Sequence, residues 1–250
     1  MISNLASQLR EGTKQSHTLT ENTAYMKCFL KGHLAIEPFR KLLSNLYFVY
    51  DALEAELLRH QNHRVIGSIY FPQLNRKAHL AADLAYYYGA DWDQNIAPST
   101  AARNYVAHLH EISDTEPALL VAHSYVRYLG DLSGGQALKN IVRSALELPA
   151  ELGTRFYEFD AFPTIAEMRA FKGQYRDALN SLNVDEELAA KIVAEADYVF
   201  SLNRDLLNSL EPEVKAAIGE NKFAEITSEA KSGSTERSSE DSSSELVTAE

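Results

Sequence analysis

LLVAHSYVRYLGDLSGGQALK, residues 119–139, repeats its apolar side chains at helical spacing yet carries Gly130, Gly134 and Gly135 in its interior. Each interior glycine costs a helix about 1 kcal/mol relative to alanine, so three within two turns need a compensating role. Gly130 and Gly134 are four apart and share a face. Arg127 and Asp131 stand at the margins of that side-chain-free strip, with Tyr125 a turn earlier. Two arrangements use such a strip: close approach of a second helix, or a flat ligand laid against bare backbone.

The rest of the chain follows the same periodicity. Its 250 residues, 45% of them apolar, suffice for a substantial core. No alternating apolar and polar run of strand length is bounded by turn residues, so the fold class is all-α, a single helical domain over 1–223. The spacing predicts helices over about 3–31, 37–60, 74–88, 99–113, 117–148, 164–182 and 185–210. Gly32 and Gly89 serve as stops, Pro117 lies near a start, and Thr164–Glu167 has capping-box spacing. The connections at 61–73 and 89–98, with Pro, Gly and Asn, read as surface loops.

After Phe223 no aromatic residue follows, and 224–250 is rich in Ser, Glu and Asp with a net charge of −5, which reads as a disordered acidic tail. The whole chain carries −11, so the body is acidic as well and general nucleic-acid binding is disfavoured. Residues 1–41 run against that trend with an excess of +3 from Arg10, Lys14, Lys27, Lys31, Arg40 and Lys41. Such a run is either a solvated face or a docking site for an acidic partner.

Cys28 is the only cysteine, which excludes an intrachain disulfide and fits a reducing compartment. The N-terminus has no apolar signal core and no stretch is long enough to cross a membrane, so a soluble cytoplasmic or stroma-like location without a membrane anchor is expected. Among the eight histidines neither H-E-x-x-H nor E-x-x-H occurs, and G-x-S-x-G is missing too.

His17, in KQSHTLTEN, has Glu21 four residues on and therefore on its own helical face. The pair suits either a surface contact or a metal-bound imidazole oriented by a carboxylate. Lys172 and Arg176 share a face at the same spacing, either as exposed cations or as a clamp for two carboxylates. His123, on the glycine helix, reads as a packing histidine.

HTLTEN, LYFVYDALE, YFPQLNRK, FKGQYR and above all LLVAHSYVRYLGDLSGGQALK resemble segments of the heme oxygenase family, and the similarity spans most of 5–215. The resemblance implies a heme sandwiched between a proximal helix and the glycine helix. His17 would be the axial iron ligand and Glu21 its supporting carboxylate. Gly130, Gly134 and Gly135 would lie over the opposite heme face, leaving room for dioxygen. Arg127, Tyr50 and Asp131 would order the distal water, Asp131 delivering protons through it. Arg10, Lys14, Lys172 and Arg176, with Tyr125, would surround the propionates, and Phe200 and Asn203 would line the pocket. Val126 stands where many members have Thr, and Arg10 where animal members have Lys. The implied activity is oxidative cleavage of heme at the α-meso carbon to biliverdin IXα, carbon monoxide and ferrous iron. Ferredoxin is the implied electron donor, and a downstream bilin reductase a possible second partner. A heme carrier or sensor without turnover is the alternative.

Overall fold

The computed structural model describes residues 4–228. Twelve α-helices are found among them, and no strand: α1 (Leu5–Glu21), α2 (Ala24–Leu30), α3 (Ile36–Arg59), α4 (Lys77–Tyr88), α5 (Trp92–Asn95), α6 (Thr100–Thr115), α7 (Leu120–Ser124), α8 (Gly130–Ala145), α9 (Ile165–Asn180), α10 (Glu186–Asn208), α11 (Glu211–Ile218) and α12 (Glu220–Ser228). The all-α expectation holds. Gly32 and Gly89 end their helices in the left-handed region, at φ 74° and 89°, and the capping box forms in full between Thr164 and Glu167.

α1 buries Leu5, Leu9, Thr13 and Ser16, a stripe at four- and three-residue steps, against α10. A Cβ on Gly12 would collide with Val193 of α10, so this glycine lets the two helices approach closely. α3 packs its apolar face on α4 and α6, and α10 lies against α1, α6 and α7 in turn. α10 is thus the central strut of the bundle.

Several boundaries differ from the periodicity. The predicted helix 3–31 is broken at Asn22–Thr23, where the Asn22 side chain donates to the Thr18 carbonyl at 2.8 Å and the Thr23 hydroxyl to that of Thr20 at 2.9 Å. These local bonds compete with the helical ladder, and Thr23 caps α2 by accepting from Met26 N–H. The predicted helix 117–148 is interrupted by a π-helical turn at Tyr125–Leu129. The 61–73 connection is not simply a surface loop, since Val65, Ile66 and Ile69 plug the core.

The tail boundary at 224 is also corrected. α12 runs through Ser228, burying Phe223 and Ile226, and the Lys27 ammonium donates to the Thr227 carbonyl at 3.1 Å. Residues 229–250 lie outside the described residues. Burial of two such side chains contributes roughly 1.5–3 kcal/mol each. A chain ending at Gly219 is therefore expected to melt about 6–24 °C lower than one ending at Ser228, as read by calorimetry. Equal melting temperatures would show that α12 contributes nothing to the bundle.

Candidate active site

Helix geometry gathers four polar residues of α1 on a face beside its buried stripe. Arg10, Lys14, His17 and Glu21 follow one another at steps of four, three and four and so share a face. His17 Nδ1 lies 3.9 Å from Glu21 Oε2, which turns the other ring nitrogen, Nε2, away from the carboxylate. The edge of the Phe200 ring meets the imidazole at 5.8 Å between centroids, inclined by 71°.

Phe200 sits on α10, and one turn further on Asn203 accepts a hydrogen bond from Arg127 Nη1 at 2.9 Å. A single turn of α10 therefore touches the His17 ring with one residue and the π-turn with the other. Arg127 also donates through Nε to the Tyr50 hydroxyl at 3.0 Å, and that hydroxyl donates in turn to Asp131 Oδ2. Arg127 Nη2 stands 3.9 Å from Asp131 Oδ1. Four residues from three separate regions, Tyr50, Arg127, Asp131 and Asn203, thus form one connected polar network.

Burial sets its electrostatics. Asp131 is raised above the usual carboxylate range by desolvation, against the opposing pull of Arg127, the Tyr50 hydrogen bond and Arg76. Tyr50 is raised far above an ordinary phenol, mainly by burial. Burial works against the Arg127 charge, but Tyr50, Asp131 and Tyr105 outweigh it and keep the guanidinium firmly protonated. The result is a fixed cation beside a carboxyl whose proton affinity has been increased.

The glycines divide into two roles. A Cβ placed on Gly130 would find nothing within 4 Å, so this backbone faces open space, as a ligand-bearing wall requires. Gly134, one turn on, is half-buried on the same face. Gly135 does not join them: a Cβ there would lie 3.5 Å from the Tyr157 ring, and the adjacent Gln136 amide donates to the Tyr157 carbonyl at 3.0 Å. A methyl there would meet the ring at ordinary van der Waals distance, so Gly135 faces the Tyr157 segment and not the open space beside Gly130.

At the other end of α1, the Ala6 N–H donates to Asn180 of α9 at 3.0 Å. Arg10 lies one turn on from Ala6 and Arg176 one turn back from Asn180, so cations of two helices gather there. Lys172 is half-buried, and desolvation together with Arg176 and Arg169 holds its ammonium below the usual lysine range. An anionic ligand would relieve that strain. Tyr125 opens the π-turn, beside Ser124, whose hydroxyl bonds the Tyr175 hydroxyl of α9 at 2.7 Å.

Sequence reasoning missed the layer beneath. Arg76 is 1% exposed, stacks over the Phe159 ring at 3.8 Å, donates to the Leu74 carbonyl at 2.8 Å and bonds that of Glu158. Its own N–H and that of Lys77 are accepted by Glu54, one turn after Tyr50. The hydroxyls of Tyr105 and Tyr128 are buried without a partner among the described residues. YFPQLNRK carried the signal for Arg76, but nothing in its spacing showed that the guanidinium faces inward.

An imidazole on one helix, a bared backbone on another and a buried Arg–Tyr–Asp network form a helical site whose parts fit a flat, iron-bearing ligand. The heme oxygenase family model matches residues 3–209, and the chain belongs to that family. It is 58% identical to heme oxygenase 2 of Synechocystis over 94% of both chains. The crystal structure of heme oxygenase-2 from Synechocystis in complex with heme and NO superposes with a TM-score of 0.92, covering 94% of this chain and 96% of that one. Heme oxygenase of Porphyra purpurea is 49% identical over 84% of this chain and 88% of its own length.

Proposed function

We propose that this heme oxygenase holds heme between α1 and α8 and opens it at the α-meso carbon, giving biliverdin IXα, carbon monoxide and ferrous iron with electrons from reduced ferredoxin. Heme supplies the iron that activates dioxygen and the macrocycle that is broken, so it is cofactor and substrate together. The observation that carries the proposal is the turn of α10 that joins His17, through Phe200, to the Arg127–Tyr50–Asp131 network, through Asn203.

His17 would hold the heme iron through Nε2, the ring nitrogen away from Glu21, which stands 3.9 Å from Nδ1. Arg10, Lys14, Lys172 and Arg176, with Tyr125, hold the two propionates as charge-assisted partners and so stop rotation in the pocket. Gly130 and Gly134 let the macrocycle lie against the backbone and keep the space above it narrow. That fixed orientation selects the α edge. Asp131, raised by burial and tied to Tyr50, holds and passes a proton through ordered water. Single-turnover incubation of the heme-loaded protein with a reductant and dioxygen tests the proposal. Biliverdin IXα supports it, another isomer overturns the α selection, and intact heme indicates a carrier or sensor.

The basic excess of the first 41 residues bears on the electron donor. Arg40 and Lys41 are paired with Glu37, and Lys41 also with Glu213 at 3.0 Å, so they contribute less attraction than their spacing suggests. Lys14, Lys27 and Lys31, on α1, α2 and the end of α2, belong with Arg40 and Lys41 to the proposed docking face, next to the His17 helix. Turnover with ferredoxin is expected to slow as salt screens charges over a Debye length of about 8–10 Å, while turnover with a small uncharged reductant stays level. Equal salt dependence for both donors would refute docking on this face.

A further inference from the structure

Away from the heme site, three side chains from three helices converge at the junction of α6, α7 and α10. His108 Nε2 lies 2.6 Å and His123 Nε2 2.8 Å from the same oxygen, Glu195 Oε1. The donor atoms of all three lie within 4.8 Å of one another. We propose that His108, His123 and Glu195 form a second metal site, independent of heme, for a borderline divalent cation of the zinc type.

Two imidazoles and one carboxylate are a ligand set that zinc accepts with a water in the fourth position. Tetrahedral coordination at 2.0–2.1 Å separates donors by roughly 3.3 Å, so both contacts to Glu195 must open, within the reach of its side chain, and the two nitrogens, within 4.8 Å of each other, must settle to the same separation. Burial lowers the proton affinity of His123, while bonds from His123 and His108 overcome desolvation to hold Glu195 below the usual range.

The surroundings support the same assignment. Glu111 Oε2 stands 4.0 Å from His108 Nδ1, within reach of a hydrogen bond after a small side-chain shift. The Tyr198 ring centroid lies 4.9 Å from that of His108 and the Tyr105 centroid 5.5 Å from that of His123, so aromatic rings flank both imidazoles. Metal binding moves the His123 proton to Nδ1, which is buried without a partner, and this is the cost of the site. The cation would clamp α6, α7 and α10 together, and α7 leads directly into the π-turn that carries Arg127.

Zinc titrated calorimetrically into the heme-loaded protein is expected to bind with one equivalent per chain and to raise the melting temperature. Zinc-edge X-ray absorption should report two imidazoles and oxygen. His108→Ala, at a half-buried position outside the heme site, and the isosteric Glu195→Gln should each weaken binding by more than about a hundredfold. Bile-pigment formation by His108→Ala in zinc-free buffer should be unchanged. No zinc binding above the level of these two variants, or wild-type affinity in either, would overturn the site and leave the trio a hydrogen-bonded cluster.

Discussion

Replacement of His17 by alanine is expected to abolish ring opening while leaving weakened heme binding. Two contributions to binding separate here. The cations on α1 and α9 and the bare backbone of Gly130 are untouched by the substitution, so the propionate and face contacts proposed for the macrocycle would remain. The proposed iron ligand would be lost with the imidazole, which lies against Phe200 and 3.9 Å from Glu21. Absorption spectroscopy of the heme-loaded variant should show altered ligation, and bile-pigment yield should fall to background. An unchanged histidine-ligated spectrum with full turnover would assign the ligand to another of the eight histidines.

Asp131→Asn is expected to bind heme normally yet lose about 10²–10⁴-fold in bile-pigment formation, the usual contribution of a positioned acid or base. The amide oxygen can still accept from Tyr50, so the framework of the network survives. The ionisable proton and the charge facing Arg127 do not. Asp131→Ala should lose as much activity and some stability besides, because the Tyr50 hydroxyl then lacks its acceptor. Normal yield in both variants would mean that Arg127, Tyr50 and the backbone suffice to order the water.

Much of this arrangement is legible in the sequence because it is local. His17 with Glu21, Lys172 with Arg176, and Gly130 with Gly134 are four-residue pairs whose facing follows from helical geometry alone. Family segments then supplied the partners Tyr50, Arg127 and Asn203, whose mutual contacts span more than seventy residues and have no signature in spacing. Gly135 shows the limit of the local argument. It adjoins Gly134 in sequence, and only the position of Tyr157 reveals that it faces another segment of the chain. Arg76 and the His108–Glu195–His123 junction escaped for a related reason, since each is made by elements far apart in the chain. The π-turn left no trace because the apolar repeat on either side of it remains helical.

That π-turn has a mechanical consequence. It stores one residue more than an ordinary turn, and one residue is worth about 100° of rotation and 1.5 Å of rise. Were the surplus to migrate along the segment, the residues it passed would change azimuth while both ends of the segment stayed docked. Arg127 lies within the dislocation and Gly130 at its edge. On the proposed placement of heme, moving that defect through the helix would widen or narrow the wall above it without unwinding the helix or disturbing the scaffold to which it is attached.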